Sequence, residues 1–91
     1  MKETQVTIPW NNGLHLKPAA KLVRLAQRFR STVQLHLGSK IADGRSILSI
    51  LLLAATCSAP ITIVAEGDDE IEAIASMETF FSTGTQADDA M

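Results

Sequence analysis

The sequence predicts one α+β domain of the open-faced sandwich type, in which three helices cover one face of a four-stranded antiparallel sheet. The main observation is the order of alternating and helical segments along the chain, which is β-α-β-β-α-β-α. The second is size, because 91 residues with 46% hydrophobic side chains can form one small core and leave no room for a deep, enclosed pocket. We expect the domain to span residues 1–85 and residues 86–91 to form a frayed tail.

The first half of the chain contains three predicted strands and one predicted helix. Alternating side chains indicate strands at Thr4–Ile8 and Ser31–Leu37, and Gly38-Ser39 is a hairpin signal before a short strand at Lys40–Ala42. From Leu16 the period becomes helical. This helix has an apolar stripe and a separate basic stripe, formed by Ala19, Leu22, Ala26 and Phe29 and by Lys17, Lys21, Arg24 and Arg28.

The second half contains a short apolar helix, a strand and a final helix. Ser46 is well placed to cap a helix that begins at Ile47, and the β-branched run Ile61–Ala65 predicts the fourth strand. The expected core side of the short helix is Ile47, Ile50, Leu51, Leu53 and Ala54, which leaves Leu48 and Leu52 facing outward. The last helix is expected at residues 69–81, with Ile71, Ile74, Met77 and Phe81 buried.

The charge of the chain is strongly divided although its net value is only −2. Residues 1–45 carry all eight Lys and Arg with two acids, a net charge of +6, and residues 46–91 carry eight acids and no base, a net charge of −8. Such a division indicates an electropositive surface that attracts anionic partners, although simple solubility is an alternative explanation.

Several classes of protein are disfavoured. Cys57 is the only cysteine, so neither an intramolecular disulfide nor a zinc site is indicated, and a cytoplasmic location is expected. No signal peptide is recognisable, and the apolar run Ile47–Ala55 is about half the ~20 residues that span a bilayer. Nucleic-acid binding is not expected, because all three phenylalanines fall at core positions of helices rather than on the sheet. We expect no metal, no cofactor and no membrane contact.

His15 is the residue best suited to chemistry. It lies between a glycine-containing turn and the first helix, whereas His36 falls on the polar phase of a strand and is expected to be an exposed strand residue. The N–H groups of Leu16 and Lys17 have no partner within the helix, and Lys17 adds an ammonium group, so an anion is stabilised there. Imidazole is also a competent nucleophile near neutral pH.

The segment Gly13-Leu14-His15-Leu16-Lys17-Pro18-Ala19-Ala20 resembles the active-site motif of the HPr family, the phosphocarrier proteins of the phosphoenolpyruvate-dependent sugar phosphotransferase system. The resemblance extends to the element order, to Ser46 at the start of the second helix and to Ala65-Glu66-Gly67 at the end of the fourth strand. It implies a carrier rather than an enzyme: His15 accepts a phosphoryl group on Nδ1 from enzyme I and passes it to an enzyme II A domain. Lys17, which would stabilise the phosphate, departs from the arginine of the family motif and gives a point charge in place of a planar fork.

Ser46 is a candidate control point. In one branch of the family the matching serine is phosphorylated by a dedicated serine kinase, whereas the alternative for Ser46 is a helix cap alone. The resemblance also implies that the first two helices bind partner proteins. The residues assigned to this surface are Leu16, Ala20, Lys21, Arg24, Ile47, Leu48, Leu51 and Leu52. Trp10 is a further candidate, although a single Trp is more often part of the core.

Two further functions remain open at this point. One is a regulatory or nitrogen-branch protein of the same fold that acts by binding partner proteins through the exposed leucines. The other is a carrier domain belonging to a larger phosphotransferase. For the exposed leucines themselves, burial of most of the short helix is the alternative to docking. A monomer is expected, because a carrier binds its partners only transiently.

Overall fold

The computed structural model describes residues 1–83 and contains four strands and three helices in the predicted order. The elements are β1 (Lys2–Thr7), α1 (Leu16–Ala26), β2 (Thr32–Leu37), β3 (Lys40–Asp43), α2 (Ile47–Leu53), β4 (Pro60–Glu66) and α3 (Glu70–Thr83). The strands form one antiparallel sheet in the order β1-β4-β2-β3. The predicted fold is therefore confirmed. The expected tail at 86–91 lies outside the described residues.

The sheet buries one face because its strands alternate. In β4 the side chains of Ile61, Ile63 and Ala65 are fully buried. Their neighbours across the sheet point the same way, with Leu35 of β2 opposite Ile63 and Val6 of β1 opposite Ile61. The buried sides of all three helices join these residues in one core cluster. The helices therefore cover a single face of the sheet, and the polar phase of each strand lies on the other.

Helix α1 follows its predicted apolar stripe but is shorter. Ala19, Leu22 and Ala26 are completely buried, whereas the helix ends at Ala26 and Phe29, in the turn that follows, is only half-buried. Arg28 also lies in that turn, with its N–H bonded to the Leu25 carbonyl at 3.1 Å. The basic stripe on the helix itself is therefore limited to three residues.

Two predicted core assignments in α2 are wrong. Ile50 and Leu53 are buried, but Ile47 is 37% exposed and Ala54 is exposed. The reason is length: α2 has only seven residues, and Ala54 leaves it in the left-handed conformation with φ of +56°, so helical phase no longer applies there. Ile47 is the first residue of α2, so no earlier turn of the helix covers its side chain.

The prediction that Ile71 is buried in α3 is also wrong, since 66% of its surface is exposed. The core side is formed by Ala73, Ile74, Met77 and Phe81. Successive residues are separated by about 100° around the axis, and the direction set by Met77 and Phe81 places Ala73 rather than Ile71 towards the sheet.

The loop after α1 is fastened to the start of α3 by one carboxylate. Asp69 accepts hydrogen bonds from the Ser31 hydroxyl at 2.5 Å, the Ser31 N–H at 2.9 Å and the Arg30 N–H at 3.0 Å. The pKa of Asp69 is lowered to about 2, mainly by the hydrogen bond from the Ser31 hydroxyl and next by the one from the Arg30 N–H. This contact holds the segment just before β2 against the residue that precedes α3.

Candidate functional site

The loop before α1 is held against the segment that follows α2. The N–H of Leu14 donates to the carbonyl of Ala55 at 2.9 Å, and the Leu14 side chain is 3% exposed. Gly13 has φ of +76°, and a Cβ there would overlap the same Ala55 oxygen. The close approach of the two backbones therefore requires glycine. This contact places the next residue, His15, at the surface in a fixed position.

His15 is the N-cap residue of α1, with extended backbone angles and an exposed side chain. Its carbonyl accepts the N–H of Ala19 at 2.9 Å, and its own N–H donates to the carbonyl of Gly13 at 2.9 Å. The ring Nδ1 also lies 2.9 Å from that Gly13 oxygen. A carbonyl oxygen can only accept, so Nδ1 carries the proton in this arrangement and the lone pair of the neutral ring lies on Nε2.

A polar cleft of about 430 Å³ lies beside His15. Its lining consists of Pro9, Trp10, Asn11, Asn12, His15, Lys17, Pro18 and Lys21. Lys17 is exposed and Lys21 is half-buried, and no acidic residue lies in the first turn of α1. The positive end of the helix and two ammonium groups thus act together on any anion in the cleft. The arrangement can hold a phosphoryl group on the imidazole.

Asn11, Asn12 and the carbonyl of Ala55 belong to the site but were missed by the sequence analysis. The two asparagines lie in the turn before α1, and their position directly before the motif is the only signal in the sequence of another role. The contribution of Ala55 comes from a backbone contact between segments about forty residues apart, which no local pattern reports.

Ser46 caps α2 as predicted. Its Oγ accepts the N–H of Ser49 at 3.1 Å, and the Oγ of Ser49 in turn accepts the N–H of Asp43 at 2.9 Å. The cap therefore links the end of β3 to the first turn of α2.

The exposed apolar side chains lie mainly on the first two helices. Leu16 is 61% exposed, Leu48 67% and Leu52 70%, while Leu51 is half-buried. Helices α1 and α2 pack against each other, so these side chains belong to neighbouring elements. Three further members of the assigned surface, Ala20, Lys21 and Arg24, follow Leu16 along α1, and Ala20 is half-buried.

Trp10 belongs mainly to the core, since it is 9% exposed and its ring lies 5.4 Å from that of Phe81 and 5.5 Å from that of Phe80. His36, which we expected to be exposed, is half-buried on the open face of the sheet, with Nε2 3.1 Å from Oε1 of Gln34. Within residues 1–83 no three His, Cys, Asp or Glu residues come together in a group that could hold a metal ion. Over the same residues, no helix is long and apolar enough to span a membrane.

The family model "PTS HPr component phosphorylation site" matches residues 2–83. The chain is 35% identical over 83 residues to the phosphocarrier protein HPr of Haemophilus influenzae, covering 91% of this chain and 98% of the relative. It superposes on the crystal structure of HPr-C-His from Thermoanaerobacter tengcongensis with a TM-score of 0.88 at 33% identity, covering 92% of this chain and 94% of that one.

Another relative is much longer. The phosphoryl donor subunit DhaM of the PEP-dependent dihydroxyacetone kinase of Providencia stuartii is 44% identical over 71 residues, which is 78% of this chain and 15% of that protein. The chain belongs to the HPr family of phosphocarrier proteins of the phosphotransferase system, whose members carry a phosphoryl group rather than act as catalytic enzymes.

Proposed function

We propose that this protein accepts a phosphoryl group on His15 from phosphorylated enzyme I and passes it to an enzyme II A domain during sugar uptake in the cytoplasm. The observation that carries the proposal is the exposed imidazole at the N-cap of α1, beside a cleft lined by Lys17 and Lys21. The imidazole supplies the nucleophile, and the helix end and the Lys17 ammonium group stabilise the phosphate while it is attached.

Transfer to Nδ1 requires a local movement of the ring. In the structure Nδ1 faces the carbonyl of Gly13, and only Nε2 has a lone pair available. Rotation of the ring about the Cβ–Cγ bond of the exposed His15 releases Nδ1 towards the solvent side, at the cost of one hydrogen bond of about 1 kcal/mol. The ring proton then moves from Nδ1 to Nε2 through solvent, which gives Nδ1 the lone pair that forms the P–N bond. We propose that this rotation accompanies docking of the phosphorylated donor.

The docking surface is proposed to consist of the exposed side chains of α1 and α2 that surround the histidine. Its members are Leu16, Ala20, Lys21, Arg24, Ile47, Leu48, Leu51 and Leu52. The basic residues favour acidic partners, and the leucines supply apolar contact area at the centre of the surface. Because the same surface must bind donor and acceptor in turn, binding should be weak and transient, with the carrier itself a monomer.

Ser46 is proposed as a regulatory phosphorylation site. A phosphate there would remain at the N-terminus of α2, where its oxygens replace Oγ as acceptors for the N–H of Ser49. The added negative charge would lie next to Ile47 and Leu48 of the docking surface and repel an acidic partner.

The test is incubation with enzyme I and ³²P-labelled phosphoenolpyruvate. We expect label that is acid-labile and alkali-stable, absent from His15→Ala and retained by the matched control His36→Ala. Passage of the label to an enzyme II A protein completes the test. Absence of label with enzyme I of both the sugar and the nitrogen branch would overturn the proposal.

Leu48→Ser tests the docking surface, with Ile71→Ser on α3 as its control. The two side chains are similarly exposed, at 67% and 66%, so both variants should retain the stability of the parent. We expect only Leu48→Ser to raise the KM of enzyme I for the carrier, by roughly tenfold, as for a central apolar contact. An equal effect of both variants would place the docking surface elsewhere.

A second candidate function is donation to a dihydroxyacetone kinase rather than to an enzyme II A domain. It is favoured by the 44% identity to a phosphoryl donor subunit of such a kinase. The labelled carrier distinguishes the two, because the label should leave His15 faster in the presence of the true acceptor.

A further inference from the structure

Lys21 occupies a place in the cleft that the family motif does not assign. The motif ends at Ala20, but the cleft extends along α1 and is lined by His15, Lys17 and Lys21 together. Residues four positions apart on a helix lie one above the other, so the two lysines flank the same space on successive turns. Lys21 is half-buried there, whereas Lys17 is exposed.

The described lining of this cleft is cationic or neutral. Among residues 1–83 it contains no carboxylate, and the sequence has no acid between Glu3 and Asp43. A phosphoryl group on His15 would add a charge of about −2 to this cleft. Lys17 alone offers a compact charge on a flexible stem and cannot hold two phosphate oxygens in the manner of a guanidinium fork.

We propose that Lys21 is a second phosphate-binding residue, and that Lys17 and Lys21 hold the phosphoryl group of His15 between two ammonium groups. The inference rests on the proposed function. In the transfer, the lone pair of a ring nitrogen forms the new P–N bond as the bond from phosphorus to the donor breaks, and the electron pair of the broken bond stays with the donor. The pair of point charges thus replaces the single bidentate contact that an arginine at position 17 would make.

The test uses phosphoramidate, a small phosphoryl donor that needs no protein partner. The phosphorus–amine bond of the donor breaks as the bond to His15 forms, and ammonia leaves. We expect Lys21→Gln to slow labelling about threefold to fivefold, which is the range of an exposed ion pair. The matched control is Arg28→Gln, which removes the same charge from beyond the end of α1 and outside the cleft.

Two readouts separate phosphate binding from a structural role. The ³¹P resonance of phosphorylated Lys21→Gln should titrate at higher pH than that of the parent, because a neighbouring ammonium favours the dianion. Lys17→Arg should reduce the loss caused by Lys21→Gln, because the fork takes over the same oxygens. Circular dichroism establishes that all variants are folded.

Equal labelling rates and equal ³¹P titrations for Lys21→Gln and Arg28→Gln would overturn the inference. A loss from Lys21→Gln that is the same with lysine or arginine at position 17 would also overturn it, because the two residues would then act separately. Failure of enzyme I to label a protein that phosphoramidate labels normally would instead count against the proposed function and leave the role of Lys21 intact.

Discussion

Replacement of Gly13 by alanine should disturb both stability and the position of His15. A residue with a Cβ pays about 1–2 kcal/mol at positive φ, and Gly13 has φ of +76°. The new methyl group would also overlap the carbonyl oxygen of Ala55, so the Leu14–Ala55 hydrogen bond of 2.9 Å must open, at a further cost of about 1 kcal/mol. The expected loss is about 2–3 kcal/mol, or roughly 10–20 °C in Tm for a domain of this size.

Gly38 is the matched control. It has φ of +61°, but no atom lies within 4 Å of a Cβ placed there. Gly38→Ala should therefore pay only the backbone cost, about 1–2 kcal/mol, and leave the site in place. Thermal melts followed by circular dichroism give the stabilities, and labelling of His15 at a temperature where both variants are folded gives the activity. Equal destabilisation together with normal labelling of Gly13→Ala would refute the role assigned to the Gly13–Ala55 contact.

Three further predictions concern the scaffold. Ser46→Ala should cost about 1 kcal/mol through loss of the cap on Ser49, whereas Ser46→Thr should restore most of it, and an unchanged Tm in Ser46→Ala would contradict the capping role. The pKa of Asp69 is lowered to about 2, so the ionised carboxylate stabilises the folded protein. That contribution is complete above the ordinary pKa of about 4 and is lost as pH falls through 2. The urea midpoints of Asp69→Asn and the parent should thus differ at pH 7 and converge between pH 4 and pH 2, and a constant difference would contradict this. Met77→Ala in the core should lower the free energy of unfolding by about 2–5 kcal/mol, and Ile71→Ala by about 0.5 kcal/mol or less. Equal losses in chemical unfolding would show that Ile71 is buried after all.

The strands were predictable because alternate residues in them face the core, most clearly in β2 and β4. The fourth strand was placed at Ile61–Ala65 and extends by one residue at each end, to Pro60–Glu66. The first strand begins earlier than predicted, because Lys2 and Glu3 pair with Ala65 and Val64 through their backbones. Backbone hydrogen bonds do not depend on side-chain polarity, so the alternation of polar and apolar residues does not reveal this early start of the strand.

The helices were less predictable where their direction depends on packing. A period of 3.6 residues identifies a stripe only when the helix has several turns to define it. The seven residues of α2 provide two turns, which explains the errors at Ile47 and Ala54. In α3 the apolar residues cover more than one face, and only contact with the sheet selects Ala73 over Ile71.

The candidate site was predictable to the extent that it is local. His15 and Lys17 lie within one short motif, and the turn-to-helix junction that exposes them is visible in the same residues. The support from Ala55 and the shared cleft of Lys17 and Lys21 depend on how α1 and the loop after α2 come together. That arrangement depends on how the core packs, so no local pattern in the sequence predicts it.

The division of charge along the chain is only partly a division in space, and this bears on how partners approach. Among residues 1–83 the lining of the cleft at His15 contains two lysines and no carboxylate, whereas acidic residues precede and begin α3, among them Asp68, Asp69, Glu70 and Glu72. The N-terminal ammonium lies 2.8 Å from a carboxylate oxygen of Glu70, so the start of α3 also has cationic neighbours. The ion pair between Arg30 and Asp68, at 3.7 Å, joins side chains that are 84% and 85% exposed, so it contributes little to stability. An acidic partner would be drawn to the α1 side and repelled by the start of α3, which orients the carrier before contact. Because this attraction acts through solvent, it is screened within about 8–10 Å at 0.1–0.15 M salt, and docking rates should fall with added salt far more than the folding stability does.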